Sequence, residues 1–445
     1  MFRKIITIVL FFIALKLNGQ VTGSFRYADS LTYSLYAEKH WNDLIKEGNR
    51  SVRDGYDYYY MRMRIGIAYY EKHNYVMSAI HFREALEFNA NDQIALEYLF
   101  YSYYLSGRTP LSWALMPSFN PQYRDRILKE SKIKKNNMTI ESYLSDSGTD
   151  NIISDPDSFF ANPEAGSQTA TKYFISNEIC ASHVVGGNVS YFHSFTNLIK
   201  DNYLHYYDGT KEADLLSQRI IQNQYYGSLN FYSQTGWVFS PSIHLLTTGY
   251  PIITFTTIGT RSYTRTTTVR SIGFYTGLAV SKSTGYVAVG AEAGYSYLNY
   301  SHRIQGTASL MLYPFGNSDI YFGGKLSVVP ALQNTSSTPG IVKGFTAGFS
   351  IARKVWVEFS GLSGDMSNYT DKNGLYIYNG IDILKSKLSG RIIIPFYKAG
   401  LSVYAGGGLS SYSSEFITED GVISYGTNKL NYNSNNFTGG ISWNF

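Results

Sequence analysis

The second half of the chain, from about Gly187 onward, alternates apolar side chains with small or polar ones, segment after segment. In residues 287–297, valine, alanine and tyrosine stand at every second position, with alanine, glycine, glutamate and serine between them. Residues 320–328 and 401–410 repeat the pattern. Because neighbouring side chains of a β-strand point to opposite faces, this period of two predicts many strands, each with one apolar and one polar face. A soluble β-sandwich and a membrane β-barrel would both show it.

The lengths of the connections favour the barrel. Short connections are predicted at residues 234–236, 282–284, 315–318, 353–354 and 397–399. Long polar connections are predicted near residues 200–218, 248–265, 331–339, 365–384 and 415–433, with one short exception near 299–302. Outer-membrane barrels have short periplasmic turns and long outer loops. Aromatic residues also gather toward the predicted strand ends, as in the girdles of such barrels: Trp237, Tyr286, Tyr313, Trp356, Phe396, Tyr397 and Trp443.

The last residues, 437–445, alternate apolar side chains and finish on an aromatic one. They resemble the C-terminal strand that the barrel-assembly machinery recognises, and the resemblance implies an assembly signal at Trp443 and Phe445. Counting strands with the same rhythm predicts a twelve-stranded antiparallel barrel over residues 185–445. An even number of strands places both ends of the barrel on the periplasmic side.

A secretory signal peptide is predicted at residues 1–19. Arg3 and Lys4 precede an apolar stretch over residues 5–15, and Gly19 precedes a plausible cleavage point. No later run approaches the ~18 uncharged apolar residues of a membrane helix. Charged residues are only 16% of the chain, against about 25% in soluble domains. These features predict the bacterial outer membrane, and the dispersed net charge of +5 does not indicate nucleic-acid binding.

Residues 20–116 are predicted to be helical, and residues 117–184 to be a linker. Apolar and aromatic residues recur in the first segment at intervals of three and four, as at Ile65, Ala68 and Tyr69. Matching residues also recur at a longer, constant spacing: Trp41 and Tyr75, Ile65 and Leu99, Tyr69 and Tyr103. The predicted fold class is therefore α + β, with a periplasmic helical repeat followed by a transmembrane barrel.

Small and aromatic residues of the clearest helical unit, among them Gly66 and Tyr69, resemble the pattern of tetratricopeptide helix pairs. The resemblance implies that Tyr69, Tyr75, Phe82 and Ala85 pack between paired antiparallel helices. A generic helical hairpin is the alternative.

Five ionisable side chains fall on the predicted inner face of the barrel wall: Glu292, Lys325, Glu358, Arg391 and His244. Opposite charges there are expected to pair, because an unpaired charge in a narrow lumen is unfavourable. One interpretation is a selectivity constriction for a solute. The other is a structural polar core that fills the barrel.

The sequence contains no motif that indicates catalysis or a cofactor. His193 lies near aromatic residues and His244 near serines, but no Gly-x-Ser-x-Gly elbow accompanies them. No spacing of histidines or cysteines indicates zinc. Cys180 is the single cysteine, so no intrachain disulfide can form. We therefore expect a protein that is not an enzyme and that needs no cofactor and no metal.

The predicted order of domains resembles two groups of outer-membrane proteins. One is the YaiO-like barrel family, which often carries such repeats. The other is the group of exopolysaccharide exporters, whose repeats bind periplasmic partners. The resemblance implies that the helical repeat recruits a periplasmic protein in envelope assembly or export, with outer-membrane lipid and the barrel-assembly machinery as further partners.

The run Tyr58, Tyr59 and Tyr60 is the candidate contact for that partner, because no single helix face can bury all three. Packing of the run against the linker or the barrel is the alternative. Two other functions stay open: a transport pore for a small solute or polysaccharide, and a lipid-modifying enzyme of the outer membrane. The latter has the weaker support, since no catalytic motif is present.

Overall fold

The computed structural model describes residues 24–130, 134–147, 166–207, 216–258, 261–330, 340–418 and 429–445. The chain divides into two compact units, with the boundary between Ser102 and Tyr103. The predicted signal peptide at residues 1–19 lies outside the described residues.

The N-terminal region contains the helices α1 (Phe25–Ala37), α2 (Trp41–Arg53), α3 (Tyr59–Glu71), α4 (Tyr75–Phe88), α5 (Gln93–Leu105), α6 (Thr109–Ala114) and α7 (Pro121–Glu130), with a 3₁₀ turn at Met116–Ser118. The starts of α1, α3 and α5 are evenly spaced along the chain, and the starts of α2, α4 and α6 follow the same spacing. Side chains of Ser24 and Asn74 cap α1 and α4 by accepting bonds from backbone N–H groups. None of the helices described is long and apolar enough to cross a membrane.

The same backbone conformation recurs at the turn inside each helix pair. Lys39, His73 and Gly107 stand at the spacing of the helix starts, and their φ values are 60°, 59° and 76°. This left-handed conformation ends the first helix of a pair and reverses the chain. The predicted repeat is therefore visible in both the helix starts and the turns.

The core of the unit up to Ser102 is formed by the faces that pack within and between helix pairs. Of the four residues predicted to pack there, Tyr69, Phe82 and Ala85 are buried, and Tyr75 is half-buried. The Tyr69 ring stacks on His81, with centroids 5.5 Å apart. A Cβ at Gly66 would lie only 3.0 Å from the Phe82 ring, so the small residue allows α3 and α4 to approach closely.

The barrel wall has fourteen strands, and the predicted number of twelve was wrong. They are β1 (Asn137–Asp146), β2 (Gly166–Gly186), β3 (Val189–Tyr207), β4 (Leu216–Tyr232), β5 (Trp237–Ile258), β6 (Arg261–Ser283), β7 (Val287–Leu298), β8 (Ser301–Leu312), β9 (Ile320–Val329), β10 (Gly340–Ile351), β11 (Val355–Gly364), β14 (Ile383–Phe396), β15 (Leu401–Glu415) and β17 (Lys429–Asn444). Three short strands are not part of the wall's meander: β12 (Tyr369–Asp371), β13 (Tyr376–Tyr378) and β16 (Ile417–Thr418).

The two missed strands, β1 and β2, lie largely in the predicted linker, residues 117–184, which also contains α7. That linker assignment is corrected accordingly. The reason is compositional, since β1 alternates only weakly and stands between a run of charged residues and a Ser- and Asp-rich stretch. Its strand conformation depends on partners elsewhere in the chain.

The barrel is closed by β1, which pairs antiparallel with both β2 and β17. Just beyond the ladder, the N–H of Asn136 donates to the carbonyl of Phe445 at 3.1 Å, and the N–H of Phe445 donates back at 3.0 Å. A closed sheet satisfies the backbone groups of every strand, which is the condition for β-structure in a bilayer.

Short connections join the wall strands at one end of the barrel: residues 187–188, 233–236, 284–286, 313–319, 352–354 and 397–400. The start of β1 and the end of β17 lie at this same end, because Asn137 pairs with Asn444. The predicted loop at residues 248–265 was wrong, since β5 continues to Ile258 and β6 begins at Arg261. The segment is rich in threonine, and β-branched residues favour strands.

Candidate functional site: the lumen and its hairpin

Apolar side chains cover the outer face of the wall, while polar side chains point inward. On β9, Phe322 and Leu326 are 46% and 49% exposed, and Lys325 points to the other face. On β7, Val289 is 49% exposed and Glu292 points inward. The apolar faces of β7 and β9 therefore point outward and their polar faces inward, as the sequence predicted.

The connection between β11 and β14 folds as a hairpin, β12–β13, inside the barrel. It was predicted as an outer loop, and that placement is corrected here. Its turn at Lys372, Asn373 and Gly374 has positive φ values of 51°, 56° and 84°. Asn-Gly sequences adopt this conformation readily and favour tight hairpins. Tyr369, in β12, is fully buried, and its hydroxyl lies 3.2 Å from Ser327 Oγ on β9.

One side of the hairpin is bonded to strands β7, β8 and β9. Lys325 forms an ion pair with Asp371. Glu292 Oε2 accepts a hydrogen bond from the N–H of Asn373 at 2.9 Å. Gln305 donates to the carbonyl of Thr370 at 2.6 Å and accepts from its N–H at 3.0 Å.

The turn of the hairpin is also bonded to β5. His244 Nδ1 lies 2.6 Å from the carbonyl oxygen of Gly374. Ser242 donates to the carbonyl of Asn373 at 2.8 Å, and the Asn373 side chain donates to the carbonyl of Ser240 at 2.7 Å. Because β5 to β9 are neighbours in the sheet, these contacts hold the hairpin against one continuous arc of the wall, on its inner face.

The five ionisable residues predicted for the lumen divide into two groups. His244, Glu292 and Lys325 hold the hairpin. Glu358 and Arg391 pair with each other across neighbouring strands, with 2.7 Å between Arg391 Nη2 and Glu358 Oε1. Sequence reasoning missed the hairpin partners, because nothing local shows that residues 365–382 fold inward rather than outward.

The end of the hairpin segment is anchored by Asp382, whose side chain is completely buried. Its Oδ2 accepts from the N–H of Thr171 at 2.9 Å and from the Tyr432 hydroxyl at 2.5 Å. The hydroxyls of Thr169 and Thr171 also donate to this carboxylate. Lys200 Nζ lies 3.6 Å away. These donors offset the cost of burying the charge.

Between the hairpin and the wall lies a cavity of about 300 Å³. Six aromatic residues line it: Tyr143, Phe174, Tyr250, Tyr300, Tyr378 and Tyr412. Six aliphatic or thioether residues line it as well: Leu198, Ile220, Met366, Ile377, Ile381 and Leu384. The charged residues of the lining are Lys200, Asp382 and Lys387. Uncharged polar side chains complete the lining, among them Gln222, Thr248 and Asn379. A concave site lined mainly by apolar and aromatic side chains, with polar groups at defined positions, is the usual form of a small-molecule site.

Lys387 differs from the other charged residues of the cavity. Its Nζ lies 4.5 Å from the centre of the Tyr143 ring and 5.9 Å from that of Tyr378. No ion pair found within the described ranges includes it, whereas Lys385 on the same strand pairs with Asp365 at 2.9 Å. The ammonium group of Lys387 is therefore held by ring faces.

The three tyrosines predicted to contact a partner differ in their burial. The Tyr58 hydroxyl donates to Asp29 at 2.6 Å, and its ring lies 4.9 Å from that of Phe25. Burial and this hydrogen bond raise the pKa of Tyr58 to about 12. Tyr59 is half-buried, and Tyr60 is 63% exposed. Of the three, Tyr60 alone presents most of its side chain.

The predicted assembly residues both lie at the closure of the barrel. Trp443 is opposite Met138 on β1 and Leu401 on β15, and Phe445 pairs with Asn136 through the backbone.

The candidate catalytic residue His244 is bonded to the hairpin rather than to a serine hydroxyl. Over the described residues, no three His, Cys, Asp or Glu side chains are grouped so that they could hold a metal ion.

The chain is similar to several solved structures. The toluene transporter TodX of Pseudomonas putida superposes with a TM-score of 0.44 at 7% identity, over 71% of this chain and 91% of that one. A Pseudomonas aeruginosa FadL homologue gives 0.42 at 8%, over 76% and 92%. A bacterial polysaccharide outer membrane secretin gives 0.36 at 10%, over 70% and 99%. No family model and no curated protein matches the chain.

A closed antiparallel barrel with an apolar outer face and a polar, occupied lumen defines the class: an integral β-barrel of the bacterial outer membrane. That class follows from the strands and side chains of this chain itself, not from the superpositions. The resemblance to tetratricopeptide proteins and to the YaiO-like family has no family match and stays a prediction.

Proposed function

We propose that the barrel is a channel for small, mainly apolar solutes, and that the hairpin β12–β13 closes it at rest. The observation that carries this proposal is the cavity of about 300 Å³ between hairpin and wall, lined mainly by aromatic and aliphatic side chains. A barrel filled only for stability would bury polar groups against each other and leave no apolar space of this size. On this proposal the protein is not an enzyme.

The hairpin is suited to act as a gate, because it is joined to the wall by side-chain contacts rather than by continuous sheet. Its contacts to β5, through His244, Ser242 and Ser240, and its ion pair from Lys325 can break without disrupting any wall ladder. Displacing it would uncover the inward polar face of the wall. The lumen could then carry solute and water together.

The test is single-channel recording in planar bilayers. Wild-type barrel should show small or rare conductance steps. A variant with residues 369–378 replaced by a Gly-Ser linker should conduct in large, stable steps. A matched control would replace ten residues between β16 and β17, positions 419–428, which do not include the hairpin. If the hairpin-free barrel folds and does not conduct, the channel proposal is wrong.

A second candidate function, recruitment of a periplasmic protein by the helical repeat, is favoured by a specific feature of α3 and α5. Tyr60 and Ile94 are the second residues of these two helices, so they occupy equivalent positions of successive repeats. Their side chains are 63% and 52% exposed. Repeat proteins bind partners through surfaces built from equivalent positions. Co-purification from outer membranes should therefore be lost in the Tyr60→Ser and Ile94→Ser double variant.

A further inference from the structure

We infer that the luminal cavity selects solutes that combine an apolar body with one anionic group, and that Lys387 binds the anion. This inference rests on the proposed function and specifies its substrate class. It depends on the charge left over in the cavity once the contacts of each charged residue have been assigned.

Asp382 does not supply a counter-charge for Lys387. Its carboxylate already accepts bonds from Thr171 and Tyr432 and lies 3.6 Å from Lys200. With two lysines and one aspartate among the lining residues, the lining carries one positive charge in excess. In a space enclosed by low-dielectric side chains, such an excess attracts an anion strongly.

The aromatic contacts of Lys387 do not neutralise it. The rings of Tyr143 and Tyr378 attract an ammonium group through their electron-rich faces. The carboxylates that act on Lys387 electrostatically, Asp371 and Glu141, already have partners of their own in Lys325 and the Tyr404 hydroxyl. A charge held away from water is unfavourable until it is paired. A carboxylate on the solute would provide both the charge and the acceptors.

The apolar part of the cavity defines the rest of the ligand. Phe174, Leu198, Ile220 and Ile377 belong to the same lining as Lys387. A phenyl or short alkyl group would contact these side chains while the carboxylate lies at the ammonium group. The lining thus fits small aryl or alkyl carboxylates.

The test compares phenylbutyrate with its uncharged analogue phenylbutanamide, by calorimetric binding to purified full-length protein in detergent. The wild type should bind the acid about tenfold more tightly than the amide, since hydrogen bonds to charged groups are the stronger kind. Lys387→Gln should lose this preference and leave amide binding within about twofold. Lys385→Gln, which alters an exposed ion pair on the same strand, should change neither.

The outcomes separate this inference from the proposed function. Equal binding of both compounds by the wild type, or an unchanged preference in Lys387→Gln, would overturn the role of Lys387 while leaving a channel for apolar solutes intact. A lack of binding by either compound, together with a hairpin-free barrel that does not conduct, would instead overturn the channel itself. Heat-dependent migration on gels checks that each variant barrel is folded.

Discussion

Lys325 on the barrel wall forms an ion pair with Asp371, which lies 46 residues further along the chain at the end of the first hairpin strand. Both side chains are mostly buried, so the pair joins two elements that share no backbone ladder. This ion pair is one of the contacts that hold the hairpin. A substitution at either residue should therefore affect the position of the hairpin.

Breaking this pair should favour the open barrel. Lys325→Gln leaves Asp371 inside the lumen without its cation, which costs about 1–3 kcal/mol and raises the ratio of open to closed barrels by about five- to 150-fold. Frequent conductance steps in planar bilayers would show this. Lys385→Gln should leave the recordings unchanged, and a closed Lys325→Gln barrel would argue against the hairpin as a gate.

The assignment of faces predicts which positions meet lipid. Cysteines at Val289 and Phe322 should react with lipid-phase maleimides, and a cysteine at Ser309, on the inner face of β8, should not. Gly323 is unsuitable as the inner position, because a Cβ there would lie 2.2 Å from the carbonyl oxygen of Leu310. The opposite labelling pattern would mean that every assigned side chain lies on the other face.

The end of the chain should be needed for assembly. Deleting Phe445 removes the backbone pair with Asn136 and the terminal aromatic residue. Folded barrel in the outer-membrane fraction should fall several-fold, as measured by heat-modifiable migration. Tyr397→Ser, a change at an exposed turn residue, serves as the control. Normal yield of the deletion variant would contradict the assembly role.

The helical unit should lose stability as the pH falls. Burial lowers the pKa of His81 to about 3, and Arg62 Nη1 lies 3.3 Å from its Nδ1. Below its ordinary value of 6.5, His81 is protonated in the unfolded chain but stays neutral in the folded one. The free energy of unfolding should therefore decrease by about 2–3 kcal/mol between about pH 7 and pH 4.5.

Urea titrations followed by helical circular dichroism would measure this decrease, since the barrel contributes little helical signal. Glu84 lies 3.7 Å from the same ring nitrogen. Burial raises the pKa of Glu84, which acts in the opposite direction. Comparing the wild type with His81→Gln gives the contribution of this histidine to the pH dependence. The same pH dependence in both proteins would contradict the prediction.

Tyr58 and Tyr60 should respond differently to substitution. Tyr58→Phe removes the hydrogen bond to Asp29 and should destabilise the helical unit by about 1–2 kcal/mol. Tyr60→Ser changes an exposed side chain and should leave stability within about 0.5 kcal/mol while weakening co-purification of a partner. Unchanged co-purification with intact helices would remove Tyr60 from the partner contact.

Several features of this protein could be predicted from the sequence because they are local. The alternation of β7 and β9 has period two, and Val289, Glu292 and Lys325 lie on the faces that the pattern predicted. The helical repeat keeps a constant period, and its turns at Lys39 and His73 adopt the same backbone conformation. A periodic pattern determines which face of an element is apolar before any partner is known.

Only the tertiary structure decided the number of strands and the position of the hairpin. Strand β1 was missed because its alternation is weak, and its pairing with β17 joins residues that are far apart in the chain, such as Asn137 and Ser442. Residues 365–382 are polar whether they face water or a polar lumen, so their composition cannot show which they meet. Lys325, Glu292 and His244 bind this segment inside the barrel. They provide the partners that buried polar groups require, and the segment therefore folds into the lumen.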